Sequence, residues 1–146
     1  MTYQVVVGVD GSENGDAALR WALAEAEAHG GEVVAVFAWQ MPFVSNPAAF
    51  SKDEIEQQGK DFLVKQLSSI APSPPVPLTP LVAEGDPAEA LVLASLDADL
   101  LVVGTRGRSP FMGAFLGATS IRCAAGARCP VTLIKLPDPA ARKPGG

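Results

Sequence analysis

Residues 98–120 read ADLLVVGTRGRSPFMGAFLGATS, an apolar run followed by a glycine-rich segment and then by small polar residues. Asp99–Val103 has the length and the continuous apolar character of a strand that is buried on both faces. The glycine-rich segment from Gly104 onward is predicted to be a loop, and a helix is predicted from about Gly117 to Ala127. This succession of strand, loop and helix is typical of an α/β protein.

The rest of the chain continues the alternation. The other predicted strands are Gln4–Val9, Val33–Ala38, Leu78–Ala83 and Pro130–Leu136. The other predicted helices cover about 14–29, Lys52–Ile70 and Pro87–Leu96, the last with Asp86 as its N-cap. Five strands alternating with four helices predict a parallel sheet with helices on both faces, and Pro80 favours the edge of that sheet for the third strand.

Length and composition favour one folded domain. The chain has 146 residues, of which 48% are hydrophobic and 18% charged, which excludes a disordered acidic chain. We assign residues 1–136 to one α/β domain, and residues 137–146, rich in proline and glycine, to a mobile tail. The longest apolar runs are far shorter than the ~20 residues that cross a bilayer, and no basic region precedes an apolar N-terminal stretch. We therefore expect a soluble cytoplasmic protein without a membrane partner.

Charge is distributed unevenly. The net charge is −5, with fifteen acidic and four basic side chains in residues 1–103, but five basic and no acidic ones in residues 104–136. Whole-chain attraction to nucleic acid or an anionic membrane is therefore not expected. A single basic segment in an acidic protein suits a small anion instead.

Cysteine and histidine content argues against several kinds of site. Cys123 and Cys129 are six residues apart, which matches no redox pair or zinc motif, so we expect two buried, reduced thiols. His29 is the single histidine, which excludes a histidine-rich metal site and disfavours a Ser-His-Asp triad.

Two predicted strand ends carry candidate ligand-binding residues. In an open parallel sheet, ligands bind beyond the carboxyl ends of the strands, where the strand order reverses. Asp10 follows the first strand and Gly104 ends the fourth, so these residues face one crevice if the two strands are neighbours. The Asp10 carboxylate could bind ribose hydroxyls or a divalent cation. The alternative is an ordinary Asp-Gly turn.

The segment after the fourth strand has the features of a phosphate cradle. Glycines such as Gly117 let backbone N–H groups approach an anion, and the helix N-terminus adds its positive dipole. Thr119 and Ser120 add hydroxyl donors, while Arg106 and Arg108 add positive charge. The alternative is that the glycines serve turn geometry alone and Thr119 is a helix cap. Neither GxxxxGK[ST] nor a GxGxxG after the first strand occurs, so a P-loop NTPase and a dinucleotide-binding fold are not supported.

At these residues the chain resembles the universal stress proteins. The nucleotide-binding signature of that family is glycine, two residues, glycine, nine residues, glycine, and then Ser or Thr. Gly104, Gly107 and Gly117 keep this spacing. Further resemblance lies in VVVGVDGS at 5–12, GDPA at 85–88, ADLLVVG at 98–104 and CPV at 129–131, so that it extends to Leu136.

The resemblance implies a Rossmann-like nucleotide-binding fold with strand order 3-2-1-4-5 and ATP bound between the first and fourth strands. Asp10 would then hold the ribose or Mg²⁺, and Val9 and Ala38 would line the adenine pocket. The residues implied near the sugar and along the phosphates are Val103, Gly104, Gly107, Gly117, Ala118, Thr119 and Ser120.

Ala118 departs from the signature, which has Ser or Thr at this position. A lost hydrogen bond to phosphate costs on the order of 1–3 kcal/mol, so ATP affinity could fall tenfold or more. The backbone N–H of Ala118 remains, and Thr119, Ser120 and the two arginines are available to compensate.

The resemblance also implies a homodimer that pairs through the last strand. The apolar run Val131–Leu136 agrees with this, because an unpaired edge strand invites pairing. The alternative is that Pro130 and the proline-rich tail cap that edge.

The sequence favours an ATP-binding regulatory protein with slow or no hydrolysis, since no second carboxylate is evidently paired with Asp10 as a general base. One alternative is a slow Mg²⁺-dependent ATPase that uses Asp10 and Arg106 or Arg108. The other is a partner-binding module that has lost ATP binding, as Ala118 would allow.

Overall fold

The computed structural model describes residues 2–40, 50–106 and 116–136. The predicted loop residues Gly107 and Arg108 and the predicted tail, 137–146, lie outside this part of the chain. The described residues form five strands and four helices, in the order β1 Gln4–Gly8, α1 Glu13–Ala28, β2 Glu32–Trp39, α2 Lys52–Ile70, β3 Leu78–Glu84, α3 Pro87–Ala94, β4 Leu100–Gly104, α4 Ala118–Gly126, β5 Val131–Ile134.

The strands form one parallel sheet in the order β3-β2-β1-β4-β5, which confirms the predicted fold. β1 lies at the centre, where Val6 pairs with Val34 of β2 on one side and with Leu101 of β4 on the other. β3 is an edge strand, as Pro80 predicted. Strand order therefore reverses between β1 and β4.

Helices cover both faces of the sheet. α1 and α2 pack on one face, where Leu19 and Leu63 join Val5 and Val7 in a core. α3 and α4 pack on the other face, where Leu91 and Cys123 join Val6, Val103 and neighbouring apolar side chains. β1 is buried on both faces, which explains its continuous run of valines. None of the helices in the described residues is long and apolar enough to cross a membrane.

Three of the four helices begin at a side-chain cap. Ser12 accepts a hydrogen bond from the Gly15 N–H at 3.0 Å, Ser51 from the Glu54 N–H at 3.2 Å, and Asp86 from the Glu89 N–H at 3.0 Å. These contacts satisfy backbone donors that a helix leaves unpaired in its first turn.

The predicted end of α3 at Leu96 is wrong, because the helix ends at Ala94. Ser95 is the C-cap and is fully buried; its hydroxyl donates back to the Val92 carbonyl at 3.1 Å. The Leu96 N–H then bonds to the Leu93 carbonyl, one residue closer than in an α-helix, so the chain turns there.

Candidate functional site

A crevice of about 620 Å³ opens at the carboxyl edge of the sheet, between the ends of β1 and β4. This is the position at which strand order reverses, where open α/β sheets bind ligands. Its walls come from β1, β2, the end of β4, the start of α3 and the start of α4.

The crevice brings together the sequence-predicted site residues that the structure describes. Those that line it are Val9, Asp10, Ala38, Val103, Gly104, Arg106, Gly117, Ala118, Thr119 and Ser120. Gly107 and Arg108 belong to the same prediction but lie outside the described residues. Residues 94 positions apart, such as Asp10 and Gly104, therefore share one cavity, as the sequence predicted for neighbouring strands.

One side of the crevice is apolar. Val36, Ala38 and Val103 contribute from the strands, and Leu91 contributes from α3. Gly8 keeps this side open, because a Cβ there would lie 3.0 Å from Cδ1 of Leu91. Leu91 was not among the residues that the sequence indicated for the site. A flat apolar ring fits such a surface.

Asp10 stands at the end of β1, half-buried. Its Oδ1 accepts hydrogen bonds from the Ser12 N–H at 3.0 Å and from the Ser12 hydroxyl at 2.5 Å. The carboxylate therefore forms an Asx turn, which was the alternative interpretation of this residue, and it still lines the crevice. Gly15 permits this arrangement, since a Cβ at that position would lie 2.8 Å from Oδ1.

The N-terminus of α4 meets the crevice without a side-chain cap. Gly117 is the N-cap, and it provides no side chain to accept a hydrogen bond from the N–H groups of this first turn. The Gly117 N–H donates to the Thr105 carbonyl at 2.6 Å, which fixes the helix start against the end of β4. A Cβ on Gly117 would lie 3.2 Å from that carbonyl oxygen. The first-turn N–H groups and the helix dipole create a positive site there.

The predicted hydroxyl donor at Ser120 is hydrogen-bonded within the protein. Ser120 is 1% exposed, and its hydroxyl donates to the Gly117 carbonyl at 2.8 Å and lies 3.3 Å from the Thr105 carbonyl. The hydroxyl thus donates to a backbone carbonyl, because a buried O–H needs an acceptor. Thr119, half-buried at the crevice wall, is the hydroxyl that remains on this turn.

Asn14 is the polar residue that sequence reasoning missed. It is 6% exposed and bonds to three backbone or side-chain groups of Thr105, Arg106 and Ile134. A signal was present, since Asn14 occupies the same helix stripe as the buried residues Ala18 and Ala22. A polar side chain on an apolar stripe indicates a buried hydrogen-bond network.

Comparison with protein families matches residues 1–135 to the universal stress protein family. This chain belongs to the universal stress protein family. The match confirms the resemblance drawn from the glycine spacing. The chain is 33% identical over 132 residues to universal stress protein Rv2005c of Mycobacterium tuberculosis, covering 90% of this chain and 45% of that protein.

The chain spans about half the length of several curated relatives, including Rv2005c. A universal stress protein of Thermus aquaticus has a similar length: it is 31% identical over 135 residues, covering 90% of this chain and 97% of that protein. A single domain of this size is therefore found among the relatives.

Solved universal stress protein structures share the fold. UspA from Lactobacillus plantarum superposes with a TM-score of 0.73 at 21% identity, covering 90% of this chain and 97% of that one. A universal stress protein in complex with cAMP gives 0.69 at 24% identity, covering 90% and 96%. The Archaeoglobus fulgidus protein in complex with dAMP gives 0.65 at 22% identity, covering 92% and 98%. These likenesses confirm the Rossmann-like architecture.

In this universal stress protein an ion pair joins the two helices that flank the crevice. Arg122 Nη1 of α4 lies 2.7 Å from Oδ2 of Asp86, the N-cap of α3. The Arg122 guanidinium holds the pKa of the Asp86 carboxyl below its usual value, and the hydrogen bond from the Glu89 N–H lowers it further. Because both side chains are substantially exposed, the pair contributes little stability.

The two thiols differ in their surroundings. Both are free, but only Cys123 is buried, so the prediction of two buried thiols is wrong for half-buried Cys129. Burial raises the pKa of the Cys123 thiol to about 11, which makes it a core residue without nucleophilic character at neutral pH. Among the described residues no group of three His, Cys, Asp or Glu side chains could hold a metal ion.

Proposed function

We propose that this universal stress protein binds an adenine nucleotide in the crevice, and that the nucleotide is ATP with Mg²⁺. The observation that carries the proposal is the uncapped N-terminus of α4, which faces the crevice beside Arg106 at the point where strand order reverses. A helix end with free N–H groups next to a guanidinium favours phosphate.

The proposed pose places the base on the apolar side and the phosphates at α4. Val9, Ala38 and Val103 would contact the adenine and the adjoining sugar. Gly104 would lie near the sugar, and its lack of a side chain leaves room for Asn14 behind it, because a Cβ there would lie 3.1 Å from the Asn14 Cβ and Cγ atoms. The residues proposed along the phosphates are Arg106, Gly107, Arg108, Gly117, Ala118, Thr119 and Ser120.

At the start of α4 the N–H groups would make the main phosphate contacts. Ala118 offers a backbone N–H and no hydroxyl, and Ser120 is likewise limited to its N–H because its hydroxyl is used internally. We therefore assign the hydroxyl contact to phosphate on this turn to Thr119. The loss at Ala118 weakens phosphate binding without removing the cradle.

Asp10 is the carboxylate we propose for Mg²⁺ or for the ribose hydroxyls. Both described hydrogen bonds of this carboxylate fall on Oδ1, so Oδ2 is the atom with capacity for another partner. One carboxylate suffices for Mg²⁺ when phosphates and water supply the other ligands. A metal held this way would arrive with the nucleotide.

Two relatives of the same fold support the choice of ligand class. Their structures are described as complexes with cAMP and with dAMP, and both ligands contain adenine. The triphosphate is our extension, based on the length of basic and glycine-rich chain after β4.

We propose a regulatory role in which binding, not hydrolysis, is the event that matters. Asp10 is the only carboxylate among the described residues that line the crevice, and its Oδ1 is occupied by Ser12. Activation of water for attack on a phosphate needs a positioned base. With none beside the proposed phosphate position, turnover would be slow or absent.

The test is to denature freshly purified protein, identify the released nucleotide by chromatography, and titrate the stripped protein with Mg-ATP by calorimetry. We expect about one adenine nucleotide per chain and micromolar rebinding, equivalent to about −8 kcal/mol. Unchanged ATP after long incubation supports the regulatory role, whereas steady turnover that is lost in Asp10→Asn supports the slow ATPase. Protein without nucleotide and without heat of binding would indicate a partner-binding module instead.

We also propose that the chain forms a homodimer through β5. Within the described residues, β5 pairs with β4 alone, and all four of its side chains are partly exposed. The Pro130 and Ile134 carbonyls accept hydrogen bonds from the Leu101 and Thr105 N–H groups of β4. The N–H and C=O groups of successive residues point to opposite sides of a strand, so the N–H and C=O groups of Val131 and Leu133 face the open edge.

A Leu133→Pro variant is expected to be monomeric. Proline removes the outward N–H at this position while leaving the bonds to β4 in place. The partly buried Leu133 side chain is lost as well, so Leu133→Ala is the matched control. Light scattering after size exclusion should show a dimer for the wild type and for Leu133→Ala. A monomeric Leu133→Ala would mean that side-chain packing, not edge pairing, holds the dimer, and a monomeric wild type would rule out the dimer.

A further inference from the structure

Asn14 bonds to three parts of the chain that meet behind the crevice. Its Nδ2 donates to the Ile134 carbonyl at 2.9 Å, and its Oδ1 accepts from the Arg106 N–H at 2.7 Å and from the Thr105 hydroxyl at 3.2 Å. The carboxamide thus joins the first turn of α1 to the ends of β4 and β5, over sequence distances of 91 to 120 residues. The nitrogen and the oxygen of the carboxamide therefore both have hydrogen-bond partners, as is usual for a buried amide.

Asn14 does not itself line the crevice, although its neighbours Gly15, Gly104 and Arg106 do. The end of β4 packs directly on it, since a Cβ at Gly104 would lie 3.1 Å from the Asn14 Cβ and Cγ atoms. Any effect of Asn14 on a ligand must therefore pass through the backbone that it holds.

That backbone leads to the proposed phosphate position. Arg106 follows Thr105, whose carbonyl accepts the Gly117 N–H and thereby anchors α4. Asn14 fixes the Arg106 N–H on the α1 side, while Gly117 and Ser120 fix the Thr105 carbonyl on the α4 side. The chain leaving β4 is thus held from two directions at the point where it enters the crevice wall. A shift of the backbone there would therefore move both Arg106 and the start of α4.

We propose that Asn14 is the positioning residue of the crevice, which sets the affinity for phosphate by holding the Arg106 backbone. This inference rests on the proposed function, because it assigns the phosphate end of the ligand to Arg106 and α4. It predicts that loss of the carboxamide affects ligands in proportion to their phosphates, and leaves recognition of the base nearly intact.

The experiment compares Asn14→Ala and Asn14→Asp with the wild type in two measurements. The first is amide hydrogen exchange at Arg106 by NMR, without nucleotide. The second is calorimetric titration with Mg-ATP and with adenosine, which has the same base and sugar but no phosphate. Leu67→Ala is the control for lost stability, since Leu67 lies on the buried face of α2, packs in the core and does not line the crevice.

In Asn14→Ala we expect faster exchange at Arg106 and about a tenfold higher Kd for ATP, with the Kd for adenosine changed by less than about twofold. Asn14→Asp keeps an oxygen acceptor, so the Arg106 amide should remain protected. Leu67→Ala should lower the melting temperature without changing the ratio of the two affinities.

Two results would overturn the inference. Equal rises of the ATP and adenosine Kd in Asn14→Ala would make Asn14 a purely structural residue. Exchange at Arg106 that is no faster in Asn14→Ala than in Leu67→Ala would show that the carboxamide does not hold this backbone. If the wild type binds neither ligand, the proposed function fails, and the exchange measurement still decides whether Asn14 positions Arg106.

Discussion

A Gly117→Asp variant is expected to lose ATP binding, with a Kd at least about a hundredfold higher than that of the wild type. The new carboxylate would stand at the N-cap of α4, where the structure has no side-chain cap and where we place the phosphates. Two like charges about 4 Å apart repel by about 4 kcal/mol near a protein surface. The substitution therefore replaces an attractive site by a repulsive one.

The same carboxylate would also occupy the donors that phosphate needs. Asp is among the best N-cap residues, and its side chain accepts from N–H groups in the first helical turn, as Asp86 does for α3. The fold should be preserved or slightly stabilised by this cap. The new Cβ opposes this stabilisation, because it would lie 3.2 Å from the Thr105 carbonyl oxygen and would require a shift of a few tenths of an ångström.

Two further variants separate these causes. Gly117→Ala adds the Cβ alone, and Gly117→Asn adds a neutral cap of nearly the same shape as Asp. Calorimetric titration with Mg-ATP should give a small loss for Ala, a larger one for Asn and no measurable binding for Asp, while circular dichroism shows the same fold. If the Asp and Ala variants bind ATP equally well, the phosphates do not lie at α4.

Much of this architecture follows from local sequence patterns. The bounds of α2, Lys52–Ile70, agree with the prediction because a capping serine precedes the helix and a run of prolines follows it. Burial of β1 on both faces follows from its valines, and the edge position of β3 follows from Pro80. The shared crevice of Asp10 and Gly104 follows from where two strands end in a parallel sheet.

The sequence could not predict contacts between residues that only the folded structure brings together. The partners of Asn14 are backbone groups far away in the chain, and any residue type presents the same N–H and C=O. The Ser120 hydroxyl was predicted to be a donor to a ligand, but it donates to the Gly117 carbonyl and lies near the Thr105 carbonyl. Leu91 packs in the core and also lines the crevice, and an apolar residue in a helix does not by itself distinguish these two roles.

The neighbouring glycines after α1 give the largest expected difference in stability. In the sequence, Gly30 and Gly31 both indicate the end of a helix. In the structure, glycine is required at the two positions for different reasons. Gly30 has a φ of +63° with open space where a side chain would be. Gly31 has no such requirement on φ, yet a Cβ there would lie 2.1 Å from the Tyr3 carbonyl oxygen.

Gly31→Ala is therefore expected to cost about 3 kcal/mol or more of unfolding free energy, and Gly30→Ala only about 1 kcal/mol. The Tyr3 carbonyl cannot simply move aside, because it accepts the Glu32 N–H at 2.8 Å where the pairing of β1 with β2 begins. The Tyr3 ring is also stacked on His29 at 4.3 Å, which holds this residue from the side of α1. Relief of the clash must then disturb the central strand pair, whereas Gly30→Ala meets only the local strain of a left-handed backbone.

Urea unfolding at one fixed protein concentration measures both losses, since a dimer would make the midpoint depend on concentration. Equal losses in the two variants would show that Tyr3 and the start of β2 separate easily. In that case the amino edge of the sheet deforms easily. The order of the crevice, which lies at the carboxyl edge, then depends on the hydrogen bonds of Asn14 more than on the register of β1 and β2.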